Sequence, residues 1–396
     1  MCKTLYIWKQ QKMLIKMKKP ILSKSWLLLT GGEFKLAQYW LKQPDVQVEE
    51  TEHGQIICTL LNRTESIVYE GLSVFINFLK YLQEPRSFEE LLSWGKQHEI
   101  SNELIEETLQ TLVNDKILLV GNLPWKLTVD SRLWSYLAAQ TSSLDKLYNS
   151  EQAWNSSRVG IIGVGGVGSR VAHELAAMGI PSLILIDHDD VSSHNLTHQP
   201  LYARDSVGKL KVNVLKDILH NRYGTLIEGL ASPITQEISP LLLERLNTCS
   251  IVILCADEPS VDILASWITP HLTKFNIPHI VGGGYHGHST STGTTVIPGL
   301  TGCWQCYDSL IEKKETYRSF QHIRGVSGSF NPLIQVLVSF IIADTVSVIT
   351  KLTKPLLTNG VGDFNLETGK FNWRAGSRDE KCEICSHITN HYVNFT

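Results

Sequence analysis

The second half of the chain alternates short apolar runs with segments of helical periodicity. Helical patterns cover 167–178, 207–220 and 261–274, with a short one near Leu241. The apolar runs between them cover 159–162, 183–186, 226–231, 251–255 and 279–281. Strands that are apolar along their whole length are buried on both faces, as in parallel sheets covered by helices on both sides. The pattern therefore predicts an α/β domain with a doubly wound, mostly parallel sheet.

A different pattern occupies residues 45–121. Two β-prone runs, 55–61 and 66–69, flank a polar turn and predict a hairpin. Three helical patterns and a closing strand follow, over 71–82, 87–97, 101–113 and 116–120. Ser87 with Glu90 predicts a capping box at the start of the second helix. This order of elements is typical of a winged-helix-like module.

The third helix of this module is acidic, with Glu103, Glu106 and Glu107 in its first turns. A DNA-binding module needs a basic recognition helix, so we expect no binding to nucleic acid. The order of elements resembles the winged-helix domains of enzymes that modify ribosomally made peptides, which hold a leader peptide by strand addition. That resemblance implies a leader-peptide-binding domain. A structural cap or a dimerisation domain is the alternative.

Composition and patterning together divide the chain. Of its 396 residues, 43% are hydrophobic and 19% are charged, as in ordered globular proteins. We predict an N-terminal extension over 1–44, the winged-helix-like domain over 45–121, a connector over 122–157 and the α/β domain over 158–396. The first twenty residues carry six lysines and no acid, which is typical of a poorly ordered tail.

Charge and hydropathy exclude several classes of protein. The net charge of −3 gives no general attraction to nucleic acid or to anionic membranes. No apolar run reaches the roughly 18 residues that a spanning helix needs, and no signal-peptide core is present. We therefore expect a cytoplasmic protein with no membrane partner.

The first apolar run of the α/β domain leads directly into a glycine-rich loop. Gly163, Gly165, Gly166 and Gly168 form the pattern G-x-G-G-x-G, and a helical pattern follows. Glycines let the backbone approach a phosphate closely, and the helix N-terminus directs N–H groups toward it. Asp187, 24 residues after Gly163, can accept hydrogen bonds from ribose hydroxyls. Taken alone, this loop predicts NAD or FAD binding, with a purely structural turn as the alternative.

The polar segment 187–199 favours ATP instead. A hydride-transfer enzyme has no use for such a segment, whereas an ATP enzyme needs cations and amide groups that reach the triphosphate. The candidate ATP ligands in this segment and in the helix start that follows are Asp189, Asn195, His198, Gln199, Lys209 and Lys211. We expect both lysines to face the nucleotide crevice. Exposure on a solvated helix face is the alternative.

A carboxylate follows the fourth apolar run. Asp257 comes just after the run 251–255, and the carboxyl end of a parallel strand faces the ligand crevice. Carboxylates bind Mg²⁺ that bridges phosphates, so Asp257 is the candidate magnesium ligand. Its alternative role is the N-cap of the helix that follows Pro259.

Two C-x-x-C pairs predict a metal site. They are Cys303 with Cys306 and Cys382 with Cys385, and 75 residues lie between the pairs. In a reducing compartment such pairs indicate metal rather than disulfides. Four thiolates match tetrahedral Zn²⁺ and leave no open position, so we expect a structural zinc site that ties the C-terminal segment to the domain.

Together these motifs resemble those of the E1-like family of ThiF, MoeB and HesA type, over roughly residues 130–390. The resemblance implies a Rossmann-like fold, a homodimer, and the adenylation of a carboxylate by ATP to give an acyl-adenylate and pyrophosphate. By motif position it implies ribose binding by Asp187 and Mg²⁺ binding by Asp257. The residues that it implies in phosphate contacts are Asn195, Gln199 and Lys211.

Three departures from the family pattern bear on the site. His198 stands where the family has arginine, so an imidazole replaces a guanidinium. The arginine motif that reaches the partner subunit's ATP keeps only Arg132, with Ser135 in place of a second arginine. The loop 307–331 contains no cysteine, so we expect no covalent thioester or persulfide there. The catalytic candidates are Asp257, Lys211, Arg132 and His198.

The added N-terminal module and the absent loop cysteine resemble the peptide-modifying branch of the family, of the microcin C and pantocin A type. This resemblance implies an enzyme of peptide-antibiotic biosynthesis that adenylates a C-terminal or Glu/Asp side-chain carboxylate of a precursor peptide, followed by intramolecular attack. Within the family, adenylation of the C-terminal glycine of a ubiquitin-like sulfur carrier is the alternative. Two further alternatives are a non-catalytic subunit that presents a peptide and an NAD(P)-dependent oxidoreductase.

Overall fold

The chain divides into two compact units, residues 1–151 and 152–396. The boundary falls within a helix, Leu144–Asn155. The computed structural model describes residues 15–17, 38–70, 73–126, 132–286, 288–307, 310 and 330–389.

Two small sheets frame the described part of the first unit. The larger sheet has four strands: β1 (Ile15–Met17), β3 (Val46–Glu50), β4 (Gln55–Leu60) and β5 (Glu65–Glu70). Their order is β1-β5-β4-β3, with β1 parallel to β5 and the other pairs antiparallel. The smaller sheet has three antiparallel strands around β2: β2 (Tyr39–Lys42), β6 (Arg86–Ser87) and β7 (Leu118–Gly121). Strand β2 pairs with β7 and so belongs to the packed module. The module therefore starts before residue 45, which is the start that we predicted.

Helices complete the first unit. They are α1 (Ser73–Tyr81), α2 (Phe88–Gln97), α3 (Asn102–Asn114), α4 (Arg132–Ala138) and α5 (Leu144–Asn155). The capping box at α2 is confirmed, because Ser87 Oγ accepts from the Glu90 N–H at 3.3 Å and Glu90 Oε2 accepts from the Ser87 N–H at 2.7 Å. The apolar faces of α1 to α3 pack on the larger sheet around Ile56, Cys58 and Leu60, and such burial supplies most of the stability of short helices.

Among the described residues, a nine-stranded sheet frames the second unit. Its strands are β8 (Arg158–Ile162), β9 (Ser182–Ile186), β10 (Leu226–Leu230), β11 (Ile251–Leu254), β12 (His279–Val281), β13 (Tyr285–His286), β14 (Ser289–Val296), β15 (Gly360–Asn365) and β16 (Lys370–Ala375). The first five are parallel, in the order β10-β9-β8-β11-β12. The last four are antiparallel, with β14-β15-β16 continuing the sheet and β13 beside β14. The predicted doubly wound, mostly parallel sheet is confirmed.

Helices pack against this sheet. They are α6 (Gly168–Ala177), α7 (Lys211–Tyr223), α8 (Pro240–Leu246), α9 (Val261–Lys274), α10 (Trp304–Tyr307) and α11 (Asn331–Thr350). Residues of α8 and α9 share one core with Ile162, Ile186 and Leu254 at the ends of the central strands. Helix α7 begins at Lys211 rather than at Val207, because a turn with Gly208 at φ +82° precedes it.

Helix α11 is the most apolar helix in the described part of the chain. Its length and composition would suit a membrane span, but 67% of its most apolar window is buried inside the protein. Asp344 lies in its middle, fully buried, and accepts hydrogen bonds from Thr295 Oγ1 at 2.6 Å and from the N–H groups of Leu356 and Leu357 at 2.6 and 2.9 Å. A carboxylate held by three donors fixes α11 to β14 and to the segment after the helix, as a core helix of this unit.

Strand β12 carries a buried histidine that makes the fold sensitive to acid. The His279 ring donates from Nδ1 to the Ile277 carbonyl at 2.9 Å, and burial lowers its pKa from 6.5 to about 4. Because the folded-state pKa lies below the unfolded value, the stabilising contribution is present above pH 6.5 and is lost as the pH falls toward 4. We expect the free energy of unfolding to fall by roughly 3 kcal/mol across that window.

Denaturant unfolding of the full chain at a series of pH values measures this effect. His279→Gln removes the titrating ring, so the free energy of unfolding should depend less steeply on pH. His220→Gln, which replaces an exposed histidine on α7, should keep the steepness of the unchanged chain. Equal steepness in both variants would contradict the role of His279.

Candidate functional site

A cavity of about 300 Å³ opens at the carboxyl ends of β8, β9 and β11. The strand order reverses between β8 and β11, which is where ligands bind in open α/β sheets. The predicted site residues that line it are Gly163, Gly165, Gly166, Asp187, Asp189, Asn195, His198, Gln199, Lys211 and Asp257. Two residues of the second unit that were predicted for the nucleotide site, Gly168 and Lys209, lie outside this lining.

The glycines of the loop serve two different purposes. Gly163 has φ +85°, and a Cβ there would lie 2.5 Å from the backbone nitrogen of Ala256. A Cβ on Gly168 would lie 1.9 Å from the carbonyl oxygen of Gly163. These two glycines are therefore required for packing of the loop against the end of β11. Gly165 and Gly166 line the cavity, where absent side chains leave the backbone open to a ligand.

The Asp187 carboxylate holds the glycine loop in place. Its Oδ2 accepts from the Val164 N–H at 2.8 Å, and its Oδ1 accepts from the Asp189 N–H at 2.9 Å. Tyr202, which we did not predict, donates its hydroxyl to the Val164 carbonyl at 2.7 Å. Each carboxylate oxygen has a second lone pair, so Asp187 can still accept hydrogen bonds from ribose hydroxyls.

The two candidate lysines are placed very differently. Lys211 begins α7 with a side chain that is 7% exposed, and its Nζ donates to Asp189 Oδ2 at 2.7 Å. An ammonium group has three N–H donors, so the ion pair with Asp189 leaves donors for a ligand in the cavity. Lys209 was predicted to face the same crevice but is exposed on the turn before α7. The alternative of a solvated lysine holds for Lys209 and not for Lys211.

A 3₁₀ turn, Ser193–Thr197, presents the amide side chains to the cavity. Asn195 is buried, and its Oδ1 accepts from the Ser192 N–H at 3.0 Å. Gln199 is also buried, and its Oε1 has no hydrogen-bond partner among the described residues. Buried polar groups are nearly always paired, so a ligand in the cavity is a natural partner for this amide.

Arg170 on α6 joins the parts of the site, although no sequence motif pointed to it. Its guanidinium donates to the carbonyls of Gly166 and His198, the latter at 3.0 Å, and to Asn331 Oδ1 at 2.9 Å. The glycine loop, the 3₁₀ turn and the start of α11 are thereby held by one buried cation. A guanidinium suits this because its five donors lie in a fixed plane.

His198 is half-buried and lines the cavity. Burial lowers its pKa, and interactions with the neighbouring His194, Arg170 and Lys211 lower the pKa further. The ring is therefore neutral at neutral pH. It brings no positive charge to a phosphate, unlike the arginine that the family pattern has at this position.

Asp257 follows β11 as an exposed residue of the cavity wall. It does not cap the next helix, because the N-cap of α9 is Ser260, whose Oγ accepts from the Ile263 N–H at 3.3 Å. The Asp257 carboxylate is therefore placed where a cation or a ligand can reach it.

Two predictions concern other parts of the chain. Arg132 is exposed at the first residue of α4 in the first unit, and residues 127–131 before it lie outside the described residues. Its contact with a partner subunit's ATP therefore stays a prediction. In the loop after the first cysteine pair, 308–309 and 311–329 also lie outside the described residues.

The four candidate metal-binding cysteines meet in space. The Sγ atoms of Cys303 and Cys306 are 3.8 Å apart, those of Cys303 and Cys382 3.6 Å, and those of Cys306 and Cys385 3.5 Å. Zinc–sulfur bonds of about 2.3 Å in a tetrahedron place sulfurs about 3.8 Å apart. The cluster therefore has the spacing of a closed site with four sulfur ligands.

A second layer of contacts supports this cluster. Arg378 donates to the carbonyls of Gly299 at 2.8 Å and Ile388 at 2.7 Å, and also to that of Cys385. These bonds tie the C-terminal cysteine pair to the turn that carries the first pair. Burial raises the pKa of the Cys303 thiol far above its ordinary value, so deprotonation there calls for a bound cation.

Comparison with known proteins places the site in a family. A model of the ThiF family matches residues 141–384. The molybdopterin-synthase adenylyltransferase of Escherichia coli is 25% identical over 240 residues, which cover 60% of this chain and 90% of that protein. The HesA protein of Nostoc sp. is 28% identical over 240 residues, which cover 59% of this chain and 86% of that protein.

Solved structures show the same fold. The crystal structure of Escherichia coli MccB with ATP has a TM-score of 0.65 at 22% identity and matches 88% of this chain and 99% of MccB. The crystal structure of PaaA has a TM-score of 0.60 at 20% identity and matches 85% of this chain and 99% of PaaA. Because the family model spans more than half of the sequence and contains the whole cavity, this chain belongs to the ThiF family of E1-like, ATP-using adenylyltransferases.

Proposed function

We propose that this adenylyltransferase activates a carboxylate of a ribosomally made precursor peptide in natural-product biosynthesis. A C-terminal or Glu/Asp side-chain carboxylate attacks the α-phosphate of ATP and gives an acyl-adenylate and pyrophosphate. A nucleophile of the same peptide then displaces AMP. The observation that supports this best is the convergence of the glycine loop, Lys211 and Asp257 on one cavity.

Each part of the cavity suits one part of ATP. The glycine loop at the start of α6 offers backbone N–H groups to phosphate, and Asp187 suits the ribose. Lys211 and the amides of Asn195 and Gln199 would contact the phosphates, where fixed donors stabilise charge that develops during attack. Asp257 would hold Mg²⁺, which when bound adds positive charge beside the phosphates.

The N-terminal unit supports a peptide substrate through its larger sheet. Strand β5 already accepts an added strand, because β1 pairs with it in parallel through Ile15 with Ser66, Lys16 with Ile67 and Met17 with Val68. A leader peptide would add to the same edge by main-chain hydrogen bonds and displace β1. Structures of MccB, which shares the fold, include a complex with N-formylated MccA.

We propose that zinc occupies the four-cysteine cluster as a structural ion. The cluster offers four sulfur ligands at tetrahedral spacing and no open position for a substrate. In a reducing compartment, paired cysteines are expected to bind a metal rather than to form disulfides. A four-thiolate site therefore agrees with a cytoplasmic enzyme. In a homodimer, the exposed Arg132 would act at the partner subunit's ATP.

We expect Asp257→Ala to slow adenylation by at least about 100-fold, because the cation beside the phosphates loses its ligand. The assay incubates the full chain with Mg-ATP and each short peptide encoded next to its gene, and measures pyrophosphate and AMP. Asp217→Ala, which removes an exposed carboxylate of α7 outside the cavity lining, should keep the rate. ADP and phosphate as products would contradict adenylation. Release of pyrophosphate with a sulfur-carrier protein, and with no peptide, would favour the alternative substrate.

The metal proposal predicts about one zinc ion per chain, measured by elemental analysis of the purified protein. Cys306→Ser should lose most of this zinc, since one of four ligands is replaced by a poorer one. Cys249→Ala changes a buried cysteine of the same unit that is not in the cluster, and should retain the metal. Equal zinc content in both variants, or no zinc in the unchanged chain, would refute the assignment.

The strand-addition proposal predicts competition between β1 and the peptide. Deleting residues 1–17 should tighten peptide binding at least about threefold, because hydrogen bonds worth roughly 0.5–1.5 kcal/mol each no longer have to be broken. Lys16→Pro in the full chain should act in the same direction, since proline removes a backbone donor. Fluorescence anisotropy with the labelled peptide measures affinity, and ATP affinity serves as the control. Unchanged peptide affinity in both variants would exclude the β5 edge.

A further inference from the structure

The hydrogen bonds around His198 select the nitrogen that carries its proton. Thr197 Oγ1 donates to the His194 carbonyl at 3.2 Å, so it acts as the acceptor for His198 Nδ1 at 3.4 Å. This arrangement favours the tautomer with the proton on Nδ1, which leaves the lone pair on Nε2. The amide nitrogen of Gln199 lies 3.4 Å from this Nε2, which agrees with a donor facing a lone pair.

The backbone that carries the ring is held in place. The His198 carbonyl accepts from Arg170 at 3.0 Å, and Gln199, next in the chain, is buried in the cavity wall. Nε2 therefore lies on the side of the ring that faces a residue of the cavity. A neutral imidazole nitrogen in a cavity for a reacting substrate is a usual proton acceptor.

The surrounding charges keep this imidazole neutral. The charged and titratable groups of its own turn, of α6, of α7 and of the cavity wall are His194, Arg170, Lys211, Asp187, His188, Asp189, Asp257 and Glu258. Burial lowers the pKa of His198, and interactions with Arg170, Lys211 and His194 lower it further. Bound triphosphate opposes this shift, but departure of pyrophosphate removes most of that negative charge before the second step.

The nearest carboxylates already have partners. Asp187 accepts two backbone N–H groups, and Asp189 pairs with Lys211. Asp257 is assigned to the cation. Among the described residues of the cavity wall, His198 Nε2 has only a weak contact, with the Gln199 amide nitrogen at 3.4 Å, so it can still accept a proton.

We propose that His198 is the proton acceptor for the second step of the proposed reaction, on which this inference rests. An N–H or O–H group of the peptide attacks the acyl carbon of the acyl-adenylate and loses its proton to His198 Nε2. The bond between the acyl carbon and the phosphate oxygen breaks, and its electron pair leaves with AMP. The imidazolium then returns its proton to water. His198 would thereby serve as the base for ring closure of the peptide, in the same site in which the acyl-adenylate forms.

One measurement tests the proton position without any substrate. Two-dimensional NMR of the full chain with ¹⁵N-labelled histidine reports the tautomer and charge of each ring, and His198→Gln identifies the signal. We expect a neutral ring protonated on Nδ1 at pH 7, with a pKa below about 6.5. A ring protonated on Nε2, or an imidazolium at pH 7, would overturn the proposal.

The second test separates proton transfer from phosphate binding. The peptide that passes the pyrophosphate screen is incubated with Mg-ATP and hydroxylamine, which traps the acyl-adenylate as a hydroxamate. His198→Gln should lower the ratio of cyclised product to hydroxamate by at least about 100-fold, as expected for loss of a general base. Both products come from one acyl-adenylate, so any loss in the first step cancels. His198→Arg should lower the ratio too, because a guanidinium cannot accept a proton.

The outcomes distinguish the two proposals. If no peptide releases pyrophosphate, the proposed function fails. If pyrophosphate is released but the ratio is unchanged in both variants, only the role of His198 as the proton acceptor fails. His220→Gln, on the exposed side of α7, is the matched histidine control and should keep the ratio of the unchanged chain. In that chain the ratio should also fall as the pH drops through the pKa of His198.

Discussion

The nucleotide site depends on how closely the glycine loop packs against the end of β11. Gly163 and Gly168 leave no space for a Cβ, with backbone atoms 2.5 and 1.9 Å from the position that it would occupy. Strands β8 and β11 pair as far as Ile162 and Leu254, and the loop after β8 packs against Ala256 after β11. Asp187 and Asp257 thereby face one cavity. A side chain at Gly163 would push the loop away from the strand, and one at Gly168 would clash with the Gly163 carbonyl within the loop. Either change would disturb the cavity wall between Asp187 and Asp257 without touching a ligand.

The electrostatic potential in the cavity depends on the partners of its basic side chains. The Arg170 guanidinium donates to backbone carbonyls and to an amide oxygen. The Lys211 ammonium is paired with Asp189, and the His198 ring is uncharged. The described side chains that line the cavity therefore offer a triphosphate few unpaired positive charges. Under the proposed function, backbone N–H groups and a cation held by Asp257 would carry much of its stabilisation. An arginine in place of His198 would add one such charge. A neutral imidazole instead makes the wall of the cavity able to take up a proton.

Features set by local pattern could be predicted from the sequence, whereas features set by distant contacts could not. The strands, the capping box at Ser87 and the cysteine spacing depend on neighbours in sequence or on strong chemical preference. Lys209 and Lys211 look alike in sequence, but the turn at Gly208 exposes one and α7 buries the other. Arg170 holds the site together partly through Asn331, which is 161 residues away in the sequence. Strand β2 belongs to the first unit because it pairs with β7. Neither contact is visible in a local sequence pattern.

The four-cysteine cluster and helix α11 both contact strand β14. Val296 at the end of β14 packs with the cluster cysteines, while Thr295 beside it bonds Asp344 of α11. Strand β14 joins the antiparallel strands to the parallel ones through β12, so both contacts hold the junction of the two halves of the sheet. None of the four cysteines lines the cavity among the described residues. If the cluster holds zinc as proposed, loss of the metal should therefore act first on the stability of this junction. Its effect on ATP chemistry would follow from loosening of β12 and β11, whose ends support Asp257.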